Sequence, residues 1–237
     1  MEERQEPDPP NSAPEGVLRM KGLDHKKDFK SLYFPPATPV LIDVPPALYV
    51  TIRGRGNPNE NPEFQSAVEA LYSVSYGIKM LPKKGIRPEG YVEYSVFPLE
   101  GLWDLDAHGM DSGDSGGPGP GSPLDKDRLV WHLMIRQPDF VTSEIFDLVK
   151  ETVAKKKGAP DVSRTSLETI TDGLSVQMTH IGSYDTEAQS FAKMEEFCAS
   201  QGLVRTGRNH REIYLSDPRR TEPDKMKTVL RIFVKRG

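Results

Sequence analysis

The chain has 237 residues, 36% hydrophobic and 28% charged, enough apolar material to bury a real core, which excludes a wholly disordered protein. Lys and Arg total 31 against 35 Asp and Glu, a formal net charge of −4, so the basic excess that grips a phosphate backbone is missing and direct nucleic-acid binding is not expected. The single cysteine, Cys198, excludes an intrachain disulfide framework and fits a reducing, cytoplasmic setting.

Residues 1–16 carry five acidic residues and four prolines with little to bury, so residues 1–28 are expected to form a disordered tail, and residues 29–237 a single domain. The start is acidic where a signal peptide is basic then apolar, and no apolar run approaches the roughly 18 residues of a membrane span. Residues 47–53 (ALYVTIR) alternate as a strand ending at Gly54. The following Gly54-Arg55-Gly56-Asn57-Pro58 lacks the third glycine of a phosphate cradle, so its glycines are assigned to a turn and no cofactor is expected. Phe64, Ala67, Val68, Leu71 and Tyr72 then make the apolar stripe of a helix, and residues 91–97 and 129–136 read as two further strands.

Between the last two lies 107–123, where six Gly, three Pro and three Ser fall in 17 residues, the composition of a flexible insertion. It contains Gly113-Asp114-Ser115-Gly116-Gly117-Pro118, the word around the nucleophile of chymotrypsin-like proteases. A serine is inert without a base, an orienting carboxylate and a rigid oxyanion hole, and nothing in this Gly/Pro context fixes them, so a protease is not expected.

A helix over about 142–157, capped by Thr142, is predicted to link this first unit (about 39–137) to a second (about 174–235) with the same order of elements. There, residues 174–181 (LSVQMTHI) end at Gly182, Ala188, Phe191, Ala192, Met194 and Cys198 form the helix stripe, and 210–215 and 228–234 are strands. The expected fold is α+β: two pseudo-symmetric strand-helix-strand-strand repeats with antiparallel sheets, helices on one face and a ligand cleft on the other.

The five histidines are scattered, with no His-x-x-x-His, so no metal site is expected. What stands out is carboxylates beside rings on strands: Glu93 between Tyr91 and Tyr94, Glu100 before Trp103, and Glu212 beside Tyr214. Alternation puts Tyr91, Glu93, Ser95 and Phe97 on one face, with Val92, Tyr94 and Val96 opposite. It likewise puts Glu212 and Tyr214 on the cleft face, with Ile213 and Leu215 on the core face. A one-residue slip would exchange the faces. Such carboxylates either pair with a planar cationic ligand or act as a base. The plainer alternative is a solvated sheet face bridged to Arg211.

The segments HIGSYD, HREIYLSDPR, KTVLRIFVK, GNPN, EGYVEY, PLEGLWD and MIRQPDF resemble the GyrI-like small-molecule-binding proteins, a duplicated SHS2 fold that includes the effector-binding domains of multidrug-responsive regulators such as BmrR. Length and the PLEGLW and RQPDF motifs are most similar to a stand-alone subgroup, the cyclopropanoid cyclopropyl hydrolases, which detoxify spirocyclopropane DNA-alkylating natural products. The insertion at 107–123 departs from that pattern and bears on substrate access. The resemblance implies Glu212 as the base that activates water. It implies Trp103, Tyr91 and Tyr214 as stacking rings and Tyr184 as a donor to the substrate oxygen. Glu93, Glu100 and Tyr94 fill out the ligand-contacting set, and His180 is either a ligand contact or a core histidine bonded to the backbone. The expected partners are small planar aromatic or cationic molecules. Non-catalytic binding is the alternative, gyrase inhibition is a weaker third reading, and monomer and homodimer both stay open.

Overall fold

The computed structural model describes residues 22–106 and 125–237. Two short helices, α1 (His25–Asp28) and α2 (Lys30–Tyr33), open it. They lead into β1 (Val40–Val44), β2 (Ala47–Arg55), α3 (Pro62–Lys79), β3 (Leu99–Leu105) and β4 (Leu129–Arg136). After α4 (Ser143–Ala154) come β5 (Ser166–Ile170), β6 (Gly173–Ile181), α5 (Glu187–Ser200), β7 (Leu203–Tyr214) and β8 (Lys227–Arg236). The fold is α+β, with these eight strands in one antiparallel sheet ordered β1-β6-β8-β7-β3-β4-β2-β5.

That order displays the duplication. β3 and β7 are central neighbours, and each is followed outward by its own repeat's strands, β4 and β2 on one side, β8 and β6 on the other. The edges are exchanged: β1 pairs with β6, and β5 with β2. Only Pro45 and Pro46 join β1 to β2, a link that spans about 10 Å, so the two ends of the sheet curl toward each other.

Asn61 caps α3 by accepting from the Glu63 amide, with Pro62 next in line, and Thr142 caps α4 through Ile145. Ala67, Leu71, Val74 and Ile78 of α3 cover Val50, Ile52, Leu133 and Ile135, with Val149 and Val153 of α4 in the same core. Met194 and Cys198 of α5 cover Val176, Met178, Leu230 and Ile232. All three long helices therefore lie on one face of the sheet. None of the described helices is long and apolar enough to cross a membrane.

The opposite, concave face is sealed by an ion network. Asp172, in the β5–β6 turn, accepts from Arg211 Nε and Arg231 Nη1, both at 2.7 Å. Arg211 also reaches Glu100 Oε2 at 3.3 Å, and Tyr33 Oη donates to Glu100 Oε1 at 2.8 Å. Arg231 Nε donates to Gln177 Oε1 at 3.0 Å and Nη2 to the Leu32 carbonyl. Burial opposes the Asp172 charge, but the two guanidiniums outweigh it and hold the carboxyl below its ordinary range. Glu100 is the reverse case: burial outweighs Arg211 and raises it.

Three local expectations are corrected. The tail boundary at residue 28 moves back, because Leu23 bridges to Tyr94 and His25 is buried against Tyr33 and Phe97. Residues 91–97 are not a sheet strand, since Tyr91 and Tyr94 pack on Phe140 instead of extending the ladder, and the central strand of the first repeat is β3, beyond Pro98. Gly54 is no turn: β2 runs through it, paired with Trp131, and a Cβ there would meet the indole at 2.0 Å. The expected insertion at 107–123, with its Ser115 motif, lies outside the described residues, as do residues 1–21 of the expected tail.

Removing one member of a buried ion group leaves its partners charged and unpaired. Asp172→Ala is therefore expected to lower unfolding free energy by about 3–5 kcal/mol, read as a fall in the urea midpoint at unchanged m-value.

Candidate functional site

The register of the central strands decides which side chains meet. Gly101 lies opposite Glu212 and Trp103 opposite His210, and cross-strand partners share a face. Glu212 also pairs with Leu230 and His210 with Ile232, both under α5. Glu212, Tyr214, His210 and Trp103 therefore stand on the helix-bearing face, one step out of phase with the alternation expected from the sequence. Arg211 points the other way into the ion network and makes no bridge with Glu212, which removes the solvated-face alternative.

Gly101 has a specific task here. A Cβ on it would sit 2.7 Å from Trp103 Nε1 and 3.2 Å from Tyr214 Oη, so only glycine lets these two groups meet over the sheet. Trp103 Nε1 donates to Tyr214 Oη at 2.7 Å, and the Glu212 charge acts on the Tyr214 hydroxyl from the same strand face. His210 Nε2 lies 3.0 Å from Glu212 Oε1. The result is two hydrogen-bonded pairs side by side, indole to phenol and imidazole to carboxylate.

Rings from both repeats flank that chain. Phe64 of α3 stacks on Trp103 at 5.9 Å, Phe191 of α5 meets His210 edge-on at 4.8 Å, and Tyr184 meets Tyr214 edge-on at 6.0 Å. Trp103 and Glu212 are 5% and 9% exposed, whereas Tyr184 is 41% exposed, so Tyr184 marks the solvent side. Burial, and then the Glu212 charge, push the Tyr184 hydroxyl up to about 12 and that of Tyr214 well above its ordinary value. Both stay protonated donors at neutral pH.

A second carboxyl joins the group. Glu187, the first residue of α5, is buried. Burial, Glu212 and Asp185, in that order, push it up to about 10. Two carboxyls held in one apolar place cannot both ionise cheaply.

His180 braces the α5 end of the site. Its Nε2 faces the Ser183 carbonyl at 3.1 Å and its Nδ1 the Ser190 hydroxyl at 2.9 Å. The carbonyl can only accept, so Nε2 carries the proton and Nδ1 accepts from Ser190. This bonding pins the turn that presents Tyr184 and Glu187. The remaining candidates sit apart. Glu100 is on the concave face under Tyr33 and Arg211. Tyr91 and Tyr94 pack on Phe140, with Glu93 beside Tyr91. Among the described residues, no group of three or more His, Cys, Asp or Glu side chains converges to hold a metal.

Sequence reasoning missed His210, Glu187, Phe64 and Phe191 as members of this site. Period 2 from Glu212 and Tyr214 is signal enough for His210. A glutamate in a first helical turn reads as an ordinary dipole partner, so the burial of Glu187 had no signal.

Residues 136–235 match the family described as GyrI-like small molecule binding domain. A crystal structure of a hydrolase from Listeria innocua superposes with a TM-score of 0.79 at 37% identity, covering 90% of this chain and all of that one. A second Listeria innocua structure, of an uncharacterized conserved protein, gives 0.79 and 38% over 90% and 100% of the two chains. The EcmrR C-terminal domain is a remote likeness, 13% identical with a TM-score of 0.47 over 87% of this chain and 99% of that one. No curated protein matches the chain.

Burial and the Glu212 charge raise the Glu187 carboxyl from an ordinary 4.5 to about 10 in the folded chain. Between those values the native state binds the extra proton, so this group's contribution to stability falls as pH rises. Glu187→Gln is expected to raise the thermal midpoint by a few degrees at neutral pH, at roughly 2–4 °C per kcal/mol, with a margin that widens toward alkaline pH in a melting series.

Proposed function

This chain belongs to the GyrI-like small-molecule-binding family, and from that premise we propose that it is a hydrolase that opens the cyclopropane ring of planar aromatic alkylating toxins with water activated by Glu212. The observation that carries the reading is the buried Glu212 carboxylate, bonded to His210 and set beside the Trp103–Tyr214 pair between ring walls. A base must be held in place and kept from bulk water, and this carboxylate is buried with one oxygen engaged by His210. That the Listeria innocua relative is described as a hydrolase supports the enzymatic reading over passive binding.

The chemistry follows from the substrate's own strain. In a spirocyclopropyl dienone, attack on the methylene carbon breaks a strained C–C bond and sends its electrons into the ring, leaving an aromatic phenolate. Glu212 takes a proton from water as the oxygen adds. Trp103, Tyr214 and Tyr184 supply faces and edges for a flat substrate. Tyr184, protonated and on the open side, donates a hydrogen bond to the dienone oxygen as charge collects there. Tyr91, Glu93, Tyr94 and Glu100 lie in other clusters and have no part in this step, and His180 acts by holding the Tyr184 turn.

The carboxylate among rings also favours a second reading, capture of planar cationic compounds without chemistry. Mass spectrometry separates the two after incubation with a spirocyclopropyl dienone: a product heavier by one water supports the hydrolase, and intact bound ligand the binding module. Glu212→Gln should still bind while turnover falls about 10²–10⁴-fold. Unchanged turnover in that variant would remove Glu212 as the base.

A further inference from the structure

A second polar cluster lies apart from Glu212. A pocket of about 540 Å³ opens between the end of β6, the start of α5 and residues 223–224, and its lining includes His180, Ser190, Lys193 and Asp224 but neither Glu212 nor Tyr184. That volume suits a small molecule. Ser190 and His180 are each 5% exposed and form the floor, while Lys193 and Asp224 are exposed at the rim. Neither rim charge has an ion-pair partner among the described residues.

The hydroxyl on that floor is spent in an unusual way. Ser66 and Thr152, inside α3 and α4, donate to the carbonyl four residues back, at Pro62 and Leu148, the ordinary use of a helical hydroxyl. Ser190 instead donates to His180 Nδ1 at 2.9 Å. The imidazole is fixed by its other nitrogen, whose proton is shared between the Ser183 carbonyl and Thr186 Oγ1, both at 3.1 Å. Gly182 allows this approach, since a Cβ there would sit 2.8 Å from Thr186 Oγ1 and 3.3 Å from His180 Nε2. Packing does not ask for an imidazole here. In the first repeat the matching position, two residues before Gly54, is Ile52, buried in the core under α3, so the fold accepts an aliphatic side chain in its place.

We propose that Ser190 and His180 are a nucleophile and its base, and that this pocket is a second catalytic site, which hydrolyses small uncharged acyl esters. A serine attacks when a positioned base takes its proton and a third group orients that base, and all three meet on this floor. Lys193 lies three residues beyond Ser190 on α5 and shares its face, so its ammonium serves the carbonyl oxygen as charge gathers there. Lys193 and Asp224 together leave the mouth without net charge, which favours an uncharged substrate. Ser190 Oγ bonds to the ester carbonyl carbon as its proton passes to His180 Nδ1, and the ester C–O bond then breaks as the alcohol leaves with that proton. Water attacks the acyl-serine in the same way, giving a proton to Nδ1, and the acid departs as Ser190 takes that proton back.

The test incubates the full chain with p-nitrophenyl acetate and, separately, with an alkyl fluorophosphonate, which phosphonylates an activated serine with loss of fluoride. The expected result is release of p-nitrophenolate and an adduct that peptide mass spectrometry places on Ser190. Ser190→Ala should lose both. His180→Gln, which keeps a hydrogen-bonding side chain but supplies no base, should slow both by about 10²-fold or more. Lys193→Gln, made at an exposed position where folding is not at stake, should slow esterolysis about fivefold, the weight of one solvated charge near 4 Å, with the adduct still on Ser190. Circular dichroism confirms that each variant is folded. A parent left unlabelled at Ser190 overturns the proposal, as does labelling at an unchanged rate in folded His180→Gln or esterolysis that survives Ser190→Ala. None of these readouts involves a cyclopropane, so failure here leaves the ring-opening reading standing.

Discussion

Arg211 and Glu212 are adjacent in sequence and stand on opposite faces of the sheet, and the rest of the molecule depends on that alternation. Arg211 is fully buried, held by Asp172 and Glu100, while Glu212 sits under the helices with Tyr214 and His210. A slip of β7 by one residue would put Glu212 against Asp172 and Glu100, three carboxylates left with Arg231 alone, and would drive a guanidinium in among the rings. Neither arrangement is tolerable in a low dielectric. The ion network thus sets the register of β7, and through it the address of every side chain in the candidate site.

The network also ties parts of the chain that are distant in sequence. Glu100 comes from the first repeat, Arg211, Arg231 and Gln177 from the second, Asp172 from the turn between β5 and β6, and Tyr33 and Leu32 from the segment ahead of both. A duplicated fold has two halves that each bury their own helix. What joins them into one unit here is the β3–β7 seam and the charged cluster beneath it. The concave face is occupied by these groups, and the chemically distinctive face is the one between α3 and α5.

On that face the physics is one of shared burial. Glu212 and Glu187 are placed among rings, where a single negative charge is stabilised by Tyr214 and His210 and a second has nothing to hold it. The tyrosines respond in the same direction, with hydroxyl acidities suppressed by burial and by the neighbouring carboxylate. Fold alone would not imply chemistry. What supports a chemical role is a buried carboxylate set among rings and donor hydroxyls.

Much of this protein is settled by its residue pattern. Local chemistry is readable from neighbours in the chain, so apolar spacing gives α3, α4 and α5, the caps at Asn61 and Thr142 follow from side chains that bond nearby amides, and the repeat of element order gives the α+β duplication. Glu212, Trp103 and Tyr214 could be singled out because carboxylates beside rings on strands are unusual, and Tyr184 through the family resemblance of HIGSYD. The sequence alone could not say which face they occupy, since period 2 defines two faces without labelling them, and the label comes from Arg211 finding Asp172 some forty residues away. Nor could it show that Tyr91 and Glu93 belong elsewhere, because an extended segment looks the same whether its amides pair in a sheet or its rings pack on Phe140. The burial of Glu187 was likewise beyond reach, for it exists only once α5 has docked against the sheet.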